Sequence, residues 1–180
     1  QIIALICDEL VVTNNAIGLD KYSGILLEWT VDNKGHTDYY KNLGLYHFYQ
    51  GEFQLALDSW KQEKELTQDL PGWLRLPLEA EQKSRLGYCY GALGDSVNSD
   101  LQLEAIYSLG GDAKKMEDVQ HYYAARILAA EGEKDKAVKS LYKALDNGFY
   151  FFRPSVFQTD PFLKLLFDYS DFEELVRPKG

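Results

Sequence analysis

The strongest constraint in this chain is a spacing that returns. Leu43-Gly44-x2-His47 is followed by Gly51, Ala56 and Trp60; Leu86-Gly87-x2-Tyr90 by Gly94, Ser99 and Leu103; Ala124-Ala125-x2-Leu128 by Gly132, Ala137 and Leu141. Tyr40, Lys83 and His121 hold the first position of each set. Residues three and four apart share one face of a helix, so each set begins as a helix with a very small residue on its packed face. The glycine seven residues later ends that helix, where the chain often needs positive φ. The second small residue, Ala56, Ser99 or Ala137, then lets a following helix lie close against the first. A fourth set opens the chain, with Leu10, Asn14, Gly18, Ser23 and Leu27 in the same places and Val11 where a small residue stands elsewhere. The pattern predicts helical hairpins laid one against the next.

The turn glycines Gly18, Gly51, Gly94 and Gly132 lie 33, 43 and 38 residues apart, and the longer steps contain visible breaks. Thr67 to Pro77 carries two prolines and a Pro71-Gly72 turn, which predicts that the chain leaves the helix there. Gly110-Gly111-Asp112 marks a second break. Periodicity between these points predicts helices over 2–16, 20–31, 37–50, 52–68, 78–93, 96–109, 113–131 and 133–147. After Gly148 the texture changes to Phe149-Tyr150-Phe151-Phe152, then Asp160-Pro161 and Phe172-x2-Leu175. Asp160 before Pro161 is an N-cap followed by a first-turn proline, so two short closing helices are expected.

The set around Tyr40, with its large residue, Leu-Gly, aromatic position, Ala and second aromatic, resembles the tetratricopeptide repeat. The tail resembles the Asp-Pro-x-Leu and Phe-x-x-Leu segment that closes bacterial tetratricopeptide arrays. That resemblance implies an all-α, right-handed α-α superhelix of about three to four helix pairs plus C-terminal capping helices. It places a degenerate pair over 1–36, repeats over 37–70, 78–110 and 113–147, and the cap over 148–180. In the family, first helices line a concave groove that holds a protein or peptide segment. The matching positions here include Lys41, Leu45, Phe48 and Tyr49, then Tyr88 with Arg85 beside it, then Tyr122 and Arg126. Lys41, Arg85 and Arg126 supply charge for a carboxylate or acidic peptide. Salt bridges within the array, and ring packing between repeats, are the competing uses of the same side chains. Leu45 stands where the family's carboxylate clamp has asparagine, which argues against capture of a chaperone tail. Trp73, in the Leu70 to Pro77 insertion, is a loop candidate for partner contact or for packing over the groove edge.

Charge narrows the partners. The formal charge of −9, with no run of Lys or Arg, repels phosphate backbones and anionic lipid, so nucleic acid is not expected. No stretch approaches the roughly 20 apolar residues of a membrane span. The apolar start from Ile2 to Cys7 is interrupted by Asp8 and Glu9 and lacks the preceding basic residues of a signal peptide. Cys7 and Cys89 have no CxxC or Cys/His partners, so neither a zinc site nor a disulfide framework is expected, and Cys89 reads as a buried inert thiol. Such cysteines fit a cytoplasmic setting, or an oxidising one in which they stay buried. His36, His47 and His121 form no ligand cluster, and His47 and His121 fall at packing positions. Nucleophile elbows, phosphate loops and metalloprotease motifs are absent from the sequence, so no catalytic residue, metal or cofactor is expected. The expected role is a scaffold or adaptor module. The alternative is a regulatory or sensory domain of a larger signalling protein or enzyme, since a start at Gln1 and a degenerate first repeat suggest a fragment.

Overall fold

The computed structural model describes residues 2–13, 15–34, 38–63, 72–109, 117–148 and 154–177. Among them all regular structure is helical. The helices are α1 (Ile2–Val12), α2 (Ala16–Asp32), α3 (Tyr39–Tyr49), α4 (Phe53–Glu63), α5 (Gly72–Ala92), α6 (Ser96–Tyr107), α7 (Glu117–Ala130), α8 (Lys134–Asp146), α9 (Pro154–Thr159), the 3-10 helix η1 (Pro161–Leu166) and α10 (Ser170–Val176). They form two compact units, Gln1–Asp69 and Leu70–Gly180.

The recurring glycines explain the hairpins. Gly51, Gly94 and Gly132 have φ of 74°, 79° and 81°, a region that costs a residue with a side chain about 1–2 kcal/mol. Each glycine N–H donates to the carbonyl three residues back, on Phe48, Gly91 and Ala129, at 3.0, 3.0 and 3.1 Å. The next N–H donates to the carbonyl five back, on His47, Tyr90 and Leu128, at 2.9 Å in each case. Both bonds satisfy carbonyls that a helix end would otherwise leave without intrahelical donors. The carbonyls of Glu52, Asp95 and Glu133 then accept from the N–H of Ala56, Ser99 and Ala137, opening the second helix. One turn is thus built three times, between α3 and α4, α5 and α6, and α7 and α8.

The first hairpin does not follow this frame. Sequence spacing put its turn at Gly18, yet α1 stops at Val12, and Asn15 caps α2 by accepting from the Gly18 N–H at 2.9 Å. An Asn side chain supplies the acceptor that free first-turn N–H groups need, so the helix starts there and Gly18 becomes helical. Its smallness has another use: a Cβ at Gly18 would lie 2.8 Å from Leu10 Cδ2, so the glycine lets α1 and α2 close up. A second correction concerns α5, expected from residue 78. It begins at Gly72 and runs through Pro77. Pro77, one turn and a half in, forfeits the bond its N–H would give to the Trp73 carbonyl and crowds that carbonyl with its ring, yet the helix continues to Ala92. Of the expected break over Thr67 to Pro77, the part from Gly72 on is helical, and the rest, with the expected break at Gly110-Gly111-Asp112, lies outside the described residues.

In the first unit α1 packs on α2, both meet α3, and α3 packs on α4. The Trp60 ring lies over Gly44 so closely that a Cβ there would be 2.2 Å from its Nε1. Trp60, Ala56 and Leu57 are buried. In the second unit α5 packs on α6 and α7, α6 on α7, and α7 on α8. Gly87 does for Ile127 what Gly44 does for Trp60, since a Cβ would sit 2.4 Å from Ile127 Cδ1. Ser99, buried at the second small position, donates its hydroxyl to the Gly87 carbonyl at 3.0 Å. The tail then covers the outer side of α7 and α8: Phe157, Leu163, Leu166, Phe172 and Leu175 join Leu128, Val138 and Leu141 in one buried cluster.

Candidate functional site

The candidate residues of the first unit lie on α3. Lys41 and Leu45 are partly buried. The Lys41 carbonyl accepts the Trp60 indole N–H at 3.2 Å, which fixes the backbone under its side chain. Phe48 and Tyr49 are buried. The Phe48 ring lies 6.1 Å from both Phe53 and Trp60, inside the α3–α4 hairpin. Tyr49 donates its hydroxyl to Asp8 Oδ1 at 2.6 Å and so ties α3 to α1. These two rings pack and clamp within the unit, while Lys41 and Leu45 keep part of their surface open to solvent.

In the second unit α5 and α7 bring their candidates together. Arg85 and Tyr88 are buried on α5, and Tyr122 is buried on α7. Arg126, one turn after Tyr122, donates Nε–H to Asp160 Oδ2 at 2.7 Å and Nη2–H to the Tyr122 hydroxyl at 2.8 Å. Tyr122 donates its own O–H to the same Asp160 oxygen at 2.7 Å. The guanidinium is also flanked by three rings, Tyr122 and Phe162 at 4.7 Å and Tyr123 at 5.0 Å. Phe162 meets Tyr88 edge-on at 5.2 Å. The other Asp160 oxygen accepts the Phe162 N–H at 3.0 Å and caps η1. All of this is nearly dry, with side-chain exposures of 12% for Arg126 and 2% for Asp160.

Electrostatics follow from that burial. Desolvation works against the Arg126 charge, and the Asp160 carboxylate, with Tyr122, Tyr123 and Glu81, outweighs it, so the guanidinium stays charged well beyond its ordinary range. Burial pushes the Tyr122 hydroxyl well up; Arg126 opposes and Asp160 adds to the rise. Tyr88 is pushed up to about 12 by burial, Cys89 and Asp160. At neutral pH the guanidinium is therefore charged and the phenols keep their protons, and the charge-assisted bonds tie η1 to α7.

No family model, curated protein or solved structure matches this chain.

Elsewhere the reactive side chains are subdued. Cys89 is pushed up to about 12 by burial, against the pull of Arg85, and Cys7 to about 11 by burial and Asp8. His47 Nδ1 pairs with Glu52 Oε2 at 2.7 Å across the α3–α4 turn. His121 packs edge-on against Tyr107 and sits 3.3 Å from Ser140 Oγ. His36 lies outside the described residues, as does the side chain of Trp73, whose backbone falls in the first turn of α5. Among the described residues no group of His, Cys, Asp and Glu is placed to hold a metal ion, and no helix is long and apolar enough to cross a membrane. Sequence reasoning found Arg126 but not its counter-ion, which lies 34 residues away. The signal present was Asp160-Pro161, whose acidic cap has a second oxygen to spare.

Proposed function

We propose that this chain is a tetratricopeptide-like array, built as a right-handed superhelix, that holds a protein or peptide segment on the faces of its first helices and performs no chemistry itself. The observation that carries the reading is the threefold turn, with the same glycine φ, the same pair of capping bonds and a small residue buried on either side of it. Hairpins of one design stack by repetition, and stacking leaves extended faces suited to chain-like partners. The net charge of −9 favours partners other than nucleic acid. Of the four candidate residues on α3, Lys41 and Leu45 keep surface to offer, a cation beside an apolar contact.

The test is a capture experiment with the purified chain and its Lys41→Glu, Leu45→Glu double variant. Helix content should be unchanged, because both side chains are partly solvated, and the proteins retained by the parent chain should be lost or much reduced. An identical retained set from a folded variant would remove α3 from the binding surface.

A further inference from the structure

The cluster around Arg126 is a filled site, and what fills it is a piece of the chain itself. Asp160, Pro161 and Phe162 come from the tail, while Arg126, Tyr122 and Tyr88 come from the first helices of two successive hairpins, α5 and α7. From the tail come one carboxylate and one ring. The helices answer with a guanidinium N–H and a phenol O–H on a single carboxylate oxygen, both at 2.7 Å, and with a cation and an aromatic edge on the ring. Charge-assisted bonds to one oxygen and a guanidinium between rings are the interactions by which proteins read short acidic and aromatic peptide segments.

We infer that the α5–α7 face is a receptor for an acidic residue followed by proline and an aromatic, that the chain's own Asp160-Pro161-Phe162 occupies it, and that a partner peptide of the same chemistry binds by displacing that segment. The inference rests on the proposed use of the first-helix faces and adds the kind of partner and its regulation. A tethered occupant acts at an effective concentration on the order of millimolar. An outside segment must therefore compete with it, and the resting site is closed. Pro161 suits either occupant, because its fixed φ starts η1 directly after the capping carboxylate and holds the acid and the ring on one side of a single turn.

The test uses the intact chain and a fluorescent peptide with the sequence of residues 157–166, followed by anisotropy. The parent chain should bind it weakly. The Asp160→Asn, Phe162→Ala chain, whose own segment has lost its charge and ring while Phe157, Leu163 and Leu166 still hold the tail, should bind it at least about tenfold more tightly, since a weakened tethered competitor is easier to displace. Adding Arg126→Gln to that variant should abolish the gain, and a peptide carrying the Asn and Ala changes should not bind. A folded tail variant that binds no better than the parent overturns the proposal. So does a variant that forms dimers by exchanging tails yet takes up no peptide. If the tail variant loses its helical signal, hydrogen exchange on the unaltered chain decides. Millimolar peptide should speed exchange of the amides in η1, and unchanged protection there overturns the proposal. Lys41 and Leu45 take no part in this assay, so failure of the peptide to bind the tail variant overturns the tethered-occupant proposal alone, and unchanged capture by the Lys41→Glu, Leu45→Glu chain counts against the α3 face alone.

Discussion

Gly44 and Gly87 are each the absence of a side chain where another residue needs room. A methyl at Gly44 would lie 2.2 Å from Trp60 Nε1 and 2.4 Å from Cδ1, and one at Gly87 would lie 2.4 Å from Ile127 Cδ1. Trp60 is fully buried and held by its bond to the Lys41 carbonyl, so its ring has little freedom to step aside. Gly44→Ala should therefore destabilise the first unit by about 1–3 kcal/mol, the usual range for overpacking, read as a lower urea midpoint. Gly87→Ala should cost less, because Ile127 can change rotamer more easily than an indole can move. Equal and negligible effects would mean that the hairpins have slack at both positions. Both glycines were legible in the sequence, since little besides close helix packing selects a small residue at a fixed offset from a turn glycine. The Arg126–Asp160 pair was not, because ion pairs leave no periodic trace and either residue alone reads as solvated surface.

At the scale of the helix, the ends were more legible than the starts. Gly51, Gly94 and Gly132 stood out because positive φ selects for glycine from the backbone alone, whatever surrounds it. Gly18 carried the same letter and has a different job, since Asn15 one turn earlier provides a cap and the helix begins at once. Pro77 misled in the opposite sense, since the helix runs through it despite the N–H it lacks. A substitution series separates the cases. Gly94→Ala and Gly132→Ala should each lower stability by about 1–2 kcal/mol through the left-handed backbone. Both positions have open space for a methyl, so sterics cannot account for the loss. Asn15→Ala should cost about 1 kcal/mol by removing the cap of α2. The α7–α8 pair has its own signature in acid. Burial and nearby Lys143 lower the His121 pKa from its ordinary 6.5, with Glu117 pulling the other way. The unfolded chain then binds more protons, so the stability this ring contributes is full above pH 6.5 and is lost as pH falls through the lower folded value. Melting temperatures on both sides of pH 6.5 should show the parent losing more on acidification than His121→Gln; parallel curves would exclude the ring as the source.

At the scale of the molecule, each compact unit must close its own apolar faces. In the second unit the repeats leave Leu128, Val138, Leu141 and Ala144 on the outer side of α7 and α8, and the tail covers them with Phe157, Leu163, Leu166, Phe172 and Leu175. Asp160-Pro161 and Phe172-x2-Leu175 resemble a closing segment, and that resemblance implied helices at the end of the chain, which the tail has. The way it is fastened was visible only once α7 and η1 were placed side by side. The fastening and the covering are separable. Each buried tail side chain contributes about 1.5–3 kcal/mol by leaving water, so the five together rival the roughly 5–15 kcal/mol by which a whole domain is stable. The buried ion pair adds direction more than net energy, because desolvating both charges offsets most of their attraction. A chain shortened after Gly148 should therefore do worse than any variant of Arg126 or Asp160. It should bind a hydrophobic dye, elute earlier than the parent from a sizing column and lose the cooperative melting of the second unit, whereas Arg126→Gln should elute with the parent and have a loosened tail. A shortened chain that is dye-free and elutes no earlier than the parent would mean that α7 and α8 do not need this cover, and the tail would then have to be explained by binding alone.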